Sequence, residues 1–267
     1  MRLVRLVLWL YVASHVALGL AFVIVPTTVA GLFPWPLPPL AAWFMGSLFL
    51  AGAACGAVNI GLGESRGLAV LALVGVGNGL IAAAGILAVD ASGTTTGMAL
   101  WLGWFVGVAI ALLAVAFVSV PGRADVPISM PKSLRRYFRI HLAVVLPVGV
   151  AMFVFPGWAQ PIWPWAMSPA NIRLLGAFFL GAALISFWCQ RQASWHTVLP
   201  TLALYAVFAT AATVASLIHF SLFEPGRLIT WLFFALYIFV ASGGWYFLAR
   251  YPVRGTRTSR SPARSEH

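Results

Sequence analysis

Two ionisable side chains stand where chemistry is expected, because each interrupts a long apolar run: Arg173 and His15. Burying such a group is costly unless it pairs or does work. Arg173 follows Asn171 closely, just past a Trp163-Pro164-Trp165 run. A guanidinium offers a fork of N–H donors that matches a carboxylate or phosphate. Three uses of Arg173 therefore compete: anion binding, snorkelling toward lipid headgroups, and an ion pair with Glu224 or Asp90. His15 offers either a proton-transfer group or a packing group that donates to a carbonyl on a neighbouring helix. A relay needs a titratable partner at the same depth. Asn78 is the nearest polar residue there, and no carboxylate stands mid-span.

The remaining candidates are sparser. Counting 1.5 Å per helical residue puts only His141 and His196 at a shared depth, where a bis-histidine haem site is one reading. His219 falls near the opposite face and His267 in the tail. Cys55 and Cys189 read as buried apolar residues, too few for a disulfide framework or a four-cysteine metal site. The sequence has no HExxH, GxSxG, Walker loop or CxxC, and so no signature of a hydrolase, nucleotide site or dithiol centre. Gly75-Val76-Gly77-Asn78-Gly79 and the Gly52/Gly56 pair suit close helix packing, as small residues do in membranes.

The elements that position these residues follow from composition. Of 267 residues, 62% are hydrophobic and 8% charged, 16 Lys+Arg against 5 Asp+Glu. Soluble domains carry about 25% charge, so a soluble globular protein is excluded, as is a disordered chain. A crossing helix needs about 20 apolar residues. Eight segments meet that length: Leu3–Val25, Leu40–Gly61, Gly67–Val89, Gly97–Val120, Arg136–Phe155, Ala170–Gln190, Thr197–His219 and Arg227–Leu248. The first is longer than a signal-peptide core and has a counterpart inside the chain, so it reads as a retained span. With the N-terminus cytoplasmic, 14 basic residues fall inside and only Arg173 and Arg227 outside. The positive-inside rule thus puts both termini in the cytoplasm. It also makes the +11 net charge topological rather than a mark of nucleic-acid binding.

A shift of 130 residues superposes the halves. Pro26 meets Pro156, Phe33-Pro34-Trp35 meets Trp163-Pro164-Trp165, and Pro39 meets Pro169. Gly19 meets Gly149, Gly46 meets Gly176, and Phe49-Leu50 meets Phe179-Leu180. The expected fold is an all-α integral membrane protein, eight transmembrane helices as two tandem parallel four-helix repeats. Residues 1–120 and 136–250 form the repeats, 121–135 a cytoplasmic linker, and 251–267 a disordered basic tail held to anionic lipid. The loops Pro26–Pro39 and Pro156–Pro169 carry no charge and five and four prolines. They are expected to be rigid and extended. Trp35, Trp158, Trp163 and Trp165 there serve as an interfacial belt, a lid over a pocket, or a partner surface.

Trp163-Pro164-Trp165-Ala166-Met167-Ser168-Pro169, then Arg173 and Gly176-Ala177, resembles a WPWx(L/M)(S/T)P…R..GA motif. That motif belongs to uncharacterised bacterial, often actinobacterial, multi-pass membrane proteins. The first half departs from it, with Trp43 in register with Arg173. The resemblance implies a bacterial plasma membrane location and no activity. Three classes stay open. The first is a non-enzymatic protein binding lipid, another apolar ligand or a partner. The second is a secondary transporter of a small or amphipathic solute, and the third a membrane redox or lipid-modifying enzyme. The candidate ligand-binding residues are Arg173, Trp163, Trp165, Trp35, Asn171 and His15, with no metal or catalytic set.

Overall fold

The computed structural model describes residues 2–62, 68–88, 95–118 and 129–251. Asp90, His267, most of the expected linker and the basic tail lie outside them. Among the described residues, eight helices are long and apolar enough to cross a membrane. They are α1 (Arg2–Ile24), α2 (Pro39–Gly61), α3 (Leu68–Ala88), α4 (Thr95–Val118), α5 (Lys132–Val154), α6 (Pro169–Cys189), α7 (Leu199–Ile218) and α8 (Leu228–Arg250). Among the described residues no strand forms beyond one bridge between Ser129 and Ser194. The helical outcome follows from the solvent: in hydrocarbon every backbone amide needs a partner within its own segment. The protein is an all-α polytopic membrane protein.

The expected spans and the helices agree to within a residue or two except at α5, which begins at Lys132. Charge makes a sequence reading stop at Arg136. The backbone continues for one more turn because long basic side chains reach polar surroundings while their stems stay apolar. Helix starts follow proline. Pro39 and Pro169 sit in the first turn of α2 and α6, where a missing amide donor loses nothing. Ser168 caps α6, its Oγ accepting from the Asn171 amide at 3.3 Å.

Packing arranges the helices in two rows. One runs α1, α2, α7, α8 and the other α4, α3, α6, α5; each helix packs closely on its neighbours in its row, while α2–α3, α1–α4 and α5–α8 touch only slightly. Each row therefore joins a hairpin from the first half to one from the second, and exchanging the halves turns one row into the other. Two close seams occupy matching positions. A Cβ on Gly46 would meet the Gly19 carbonyl oxygen at 3.0 Å, and one on Gly19 would meet Leu50 at 2.7 Å. On the α5–α6 seam, a Cβ on Gly149 would meet the Leu180 nitrogen at 3.0 Å, and one on Gly176 the Phe153 nitrogen at 2.5 Å. Helices approach this closely only where the side chain is absent. Gly75 serves likewise against the Ala109 carbonyl of α4, and Gly181 of α6 against the Gly77 backbone, where its Cβ would come to 3.2 Å.

Candidate functional site

The Trp-Pro loops are not extended throughout. Pro26–Ala30 and Pro156–Ala159 each form a short helix, because a proline in the first turn starts a helix as readily as it ends one. The chain then turns inward. Phe33, Trp163 and Trp165 are buried and Trp35 half-buried, whereas Trp158 stays exposed. The belt reading fits Trp158. The other rings plug the ends of the helices: Trp163 lies 5.1 Å from Trp165, and Trp165 lies 5.2 Å from Phe233 and 4.9 Å from Phe223. In the first half Phe33, Trp35 and Trp101 form the same kind of cluster, with centroids 4.8–5.2 Å apart.

A hydrogen bond ties the first loop to the second half. The Trp35 indole N–H donates to Asn171 Oδ1 at 2.9 Å. Replacing Asn171 with Leu removes the acceptor and keeps the branched four-atom shape of the side chain. A net hydrogen bond is worth about 1 kcal/mol, so amide exchange over residues 31–38 should quicken roughly fivefold if the bond fastens the loop. Unchanged exchange would show that aromatic packing alone holds it.

Arg173 neither snorkels freely nor pairs with Glu224. Its Nη1 donates to the Leu87 carbonyl at 2.6 Å and its Nε to the Phe153 carbonyl at 3.2 Å. These carbonyls close α3 and α5, where the last turn leaves acceptors without partners and a cation is favoured. Glu224 instead meets Arg227 at 3.4 Å. Arg227 was legible only as the second outer cation. It also donates to the carbonyls of Pro161 (2.7 Å), Ile162 (3.1 Å) and Trp163 (3.2 Å), and so gathers the second loop. Gly97 stands in register with it in the first half.

Between the two rows, where α2 and α3 barely touch, lie two adjoining cavities that share Leu48, Ile81 and Phe178 as walls. The one beneath the loops, of about 40 Å³, is bounded by Leu37, Phe44, Trp165, Met167 and Asn171. The other, of about 60 Å³, reaches mid-helix and is bounded by Tyr11, His15, Gly52, Gly77 and Asn78. Through these shared walls they adjoin as one apolar slot, with Asn171 toward the loops and Tyr11, His15 and Asn78 mid-helix. A water needs roughly 10–15 Å³ by such a measure, so each cavity holds more than one water-sized group. Trp165, Asn171 and His15 thus line one slot. Trp35 reaches it through Asn171, Trp163 through Trp165, and Arg173 braces the helix ends beside it.

Comparison with protein-family models, with curated proteins and with solved structures returns no match.

The histidines have separate surroundings. His15 Nδ1 bonds the Tyr11 carbonyl of its own helix at 2.9 Å, not a carbonyl across an interface, because the residue four positions back is nearest. His141 Nδ1 meets Ser186 Oγ at 2.8 Å, Ser186 meets Tyr205 Oη at 2.8 Å, and Tyr205 donates to the Ala182 carbonyl at 2.7 Å. The His196 ring stacks on Trp195 at 4.0 Å. Among the described residues no three His, Cys, Asp or Glu side chains converge. Cys55 and Cys189 are buried and free.

Proposed function

We propose that this chain is a bacterial plasma-membrane protein that binds a slender, mainly apolar ligand in the slot between its rows. In this reading the chain is a tandem duplication with both termini in the cytoplasm, and the Trp-Pro loops cover the slot on the outer side. The supporting observation is the slot itself. Its walls are hydrocarbon and aromatic from Trp165 and Met167 down to Phe49 and Phe105, with neutral polar groups at Asn171 and mid-helix at Tyr11, His15 and Asn78. An apolar pocket with a few convergent polar groups is the usual form of a small-molecule site. Of the five acidic residues only Glu224 lies among the described residues, and it is spent on Arg227. No described carboxylate is therefore left to couple protons to transport, which favours binding over proton-driven uptake. The basic cytoplasmic face would hold anionic lipid.

Native mass spectrometry of protein extracted in mild detergent tests the reading. The expected result is a co-purifying apolar molecule near one per chain. Gly77→Leu should lower its retention on the order of tenfold, since one well-placed buried side chain is worth about 1.5–3 kcal/mol of contact. A Cβ at Gly77 meets nothing closer than 3.8 Å, so the new side chain fills the slot without forcing the helices apart. Ala41→Leu fills the loop-end cavity and should act likewise. Protein that is bare, or retention unchanged in both variants, would sink the proposal.

A further inference from the structure

Mid-helix, the two halves treat their polar groups differently. In the second half His141, Ser186, Tyr205 and the Ala182 carbonyl bond one another in a closed chain. In the first half Tyr11 stands in register with His141, and Gly56 and Gly75 stand where Ser186 and Tyr205 would supply the continuation. Tyr11 is buried, 7% exposed, and its hydroxyl has no hydrogen-bond partner among the described residues. A buried donor left unmade costs about 1–3 kcal/mol, and buried polar groups in native proteins are nearly always satisfied. Tyr11 lines the cavity, so a partner for its hydroxyl has a place there.

His15 defines the second half of the recognition. Its Nδ1 faces the Tyr11 carbonyl, which can only accept, so Nδ1 carries the hydrogen. In the neutral ring Nε2 is then an acceptor. The position a Cβ would take on Gly52 lies 2.7 Å from Tyr11 Oη and 3.5 Å from His15 Nε2. Both atoms thus lie close together on the cavity wall beside Gly52, where the absence of a side chain lets Tyr11 and His15 pack against the α2 backbone. Tyr11 and His15 present one donor and one acceptor side by side, with no charge. An anion finds no cation there, a hydrocarbon leaves both groups unpaired, and a ketone or ether uses only the donor. A hydroxyl uses both: its oxygen accepts from Tyr11, and its hydrogen goes to His15 Nε2.

We infer that the ligand is a slender chain alcohol, its hydroxyl held between Tyr11 and His15 and its hydrocarbon lying along Ile81, Leu48 and Phe178. The inference rests on the binding role proposed above and names the ligand class of that same slot. A water molecule could supply the same hydroxyl chemistry, and the test separates the two.

The test uses two photoreactive probes, a decanol and a decane each bearing a diazirine, on the full chain in detergent, with labelled residues mapped by mass spectrometry. The expected result is labelling of slot residues by the decanol probe, three- to tenfold above the decane probe and displaced by unlabelled decanol. Tyr11→Phe keeps the ring and loses the donor. It should lower decanol labelling by the same factor and leave decane labelling unchanged. Gly77→Leu should abolish both. If both probes label the slot equally and Tyr11→Phe changes neither, the hydroxyl assignment is overturned: Tyr11 then bonds water, and the binding role stands. If neither probe labels the slot, or Gly77→Leu leaves labelling intact, the binding role falls and takes the inference with it.

Discussion

Gly176→Val should be the most damaging single change in the membrane region. A side chain at position 176 would lie 2.5 Å from the Phe153 nitrogen and 2.9 Å from Met152 atoms. Backbone cannot swing aside as a flexible side chain can, so α5 and α6 must separate along a seam where the atom met is main chain. Overpacking typically costs 1–3 kcal/mol, more where relief needs backbone movement. We expect about 3 kcal/mol or more, a fall in midpoint on the order of 10 °C in a thermal melt of the detergent-solubilised protein. Gly79→Ala is the comparison, since a Cβ there meets nothing within 4 Å. It should be neutral or slightly stabilising through helix propensity. Equal melting of the two variants would refute the seam.

Arg173→Met should come second. The change keeps the apolar stem and removes donors from the carbonyls of Leu87 and Phe153. Hydrogen bonds to charged groups are worth about 1.5–3 kcal/mol, while hydrogen bonds between membrane helices average less and this group is partly exposed. We expect a loss of about 2 kcal/mol. Arg173→Lys should recover less than half, because an ammonium lacks the planar fork that addresses two carbonyls at once. The measurement also separates brace from anion site. A guanidinium whose work is to hold a carboxylate or phosphate would leave the melting temperature of ligand-free protein unchanged when replaced.

The helices were legible because length and hydropathy suffice in a solvent that admits few alternatives. The starts of α2 and α6 were legible to within one residue, at Leu40 and Ala170, because the proline before each acts locally. Tertiary geometry was not. The glycines at 19, 46, 149 and 176 could be seen to match in register, but sequence alone does not say which helices meet there. Arg173 drew attention as a charge in an apolar run, yet its partners are backbone carbonyls from two other helices, and backbone acceptors leave no mark in a sequence. Trp163 and Trp165 read as interfacial because indole favours that layer, whereas the inward turn of the loop buries them. Tyr11 passed unremarked, since a tyrosine in an apolar run is ordinary. Its interest lies in a hydroxyl without a partner, and that depends on Gly52 and Gly56 of another helix facing it. Asn171 and His15 were singled out as polar residues in apolar runs, and both line the slot.

The two-row arrangement also governs how the protein can be made. Synthesis delivers α1 to α4 first, yet α2 must pack on α7 and α3 on α6. The first four helices therefore wait in the bilayer with two faces uncovered. The row α1, α2, α7, α8 cannot close before the last helix arrives. Between α4 and α8 the nascent chain is a half-built object, and a truncation in that stretch strands surfaces that no segment already made can cover.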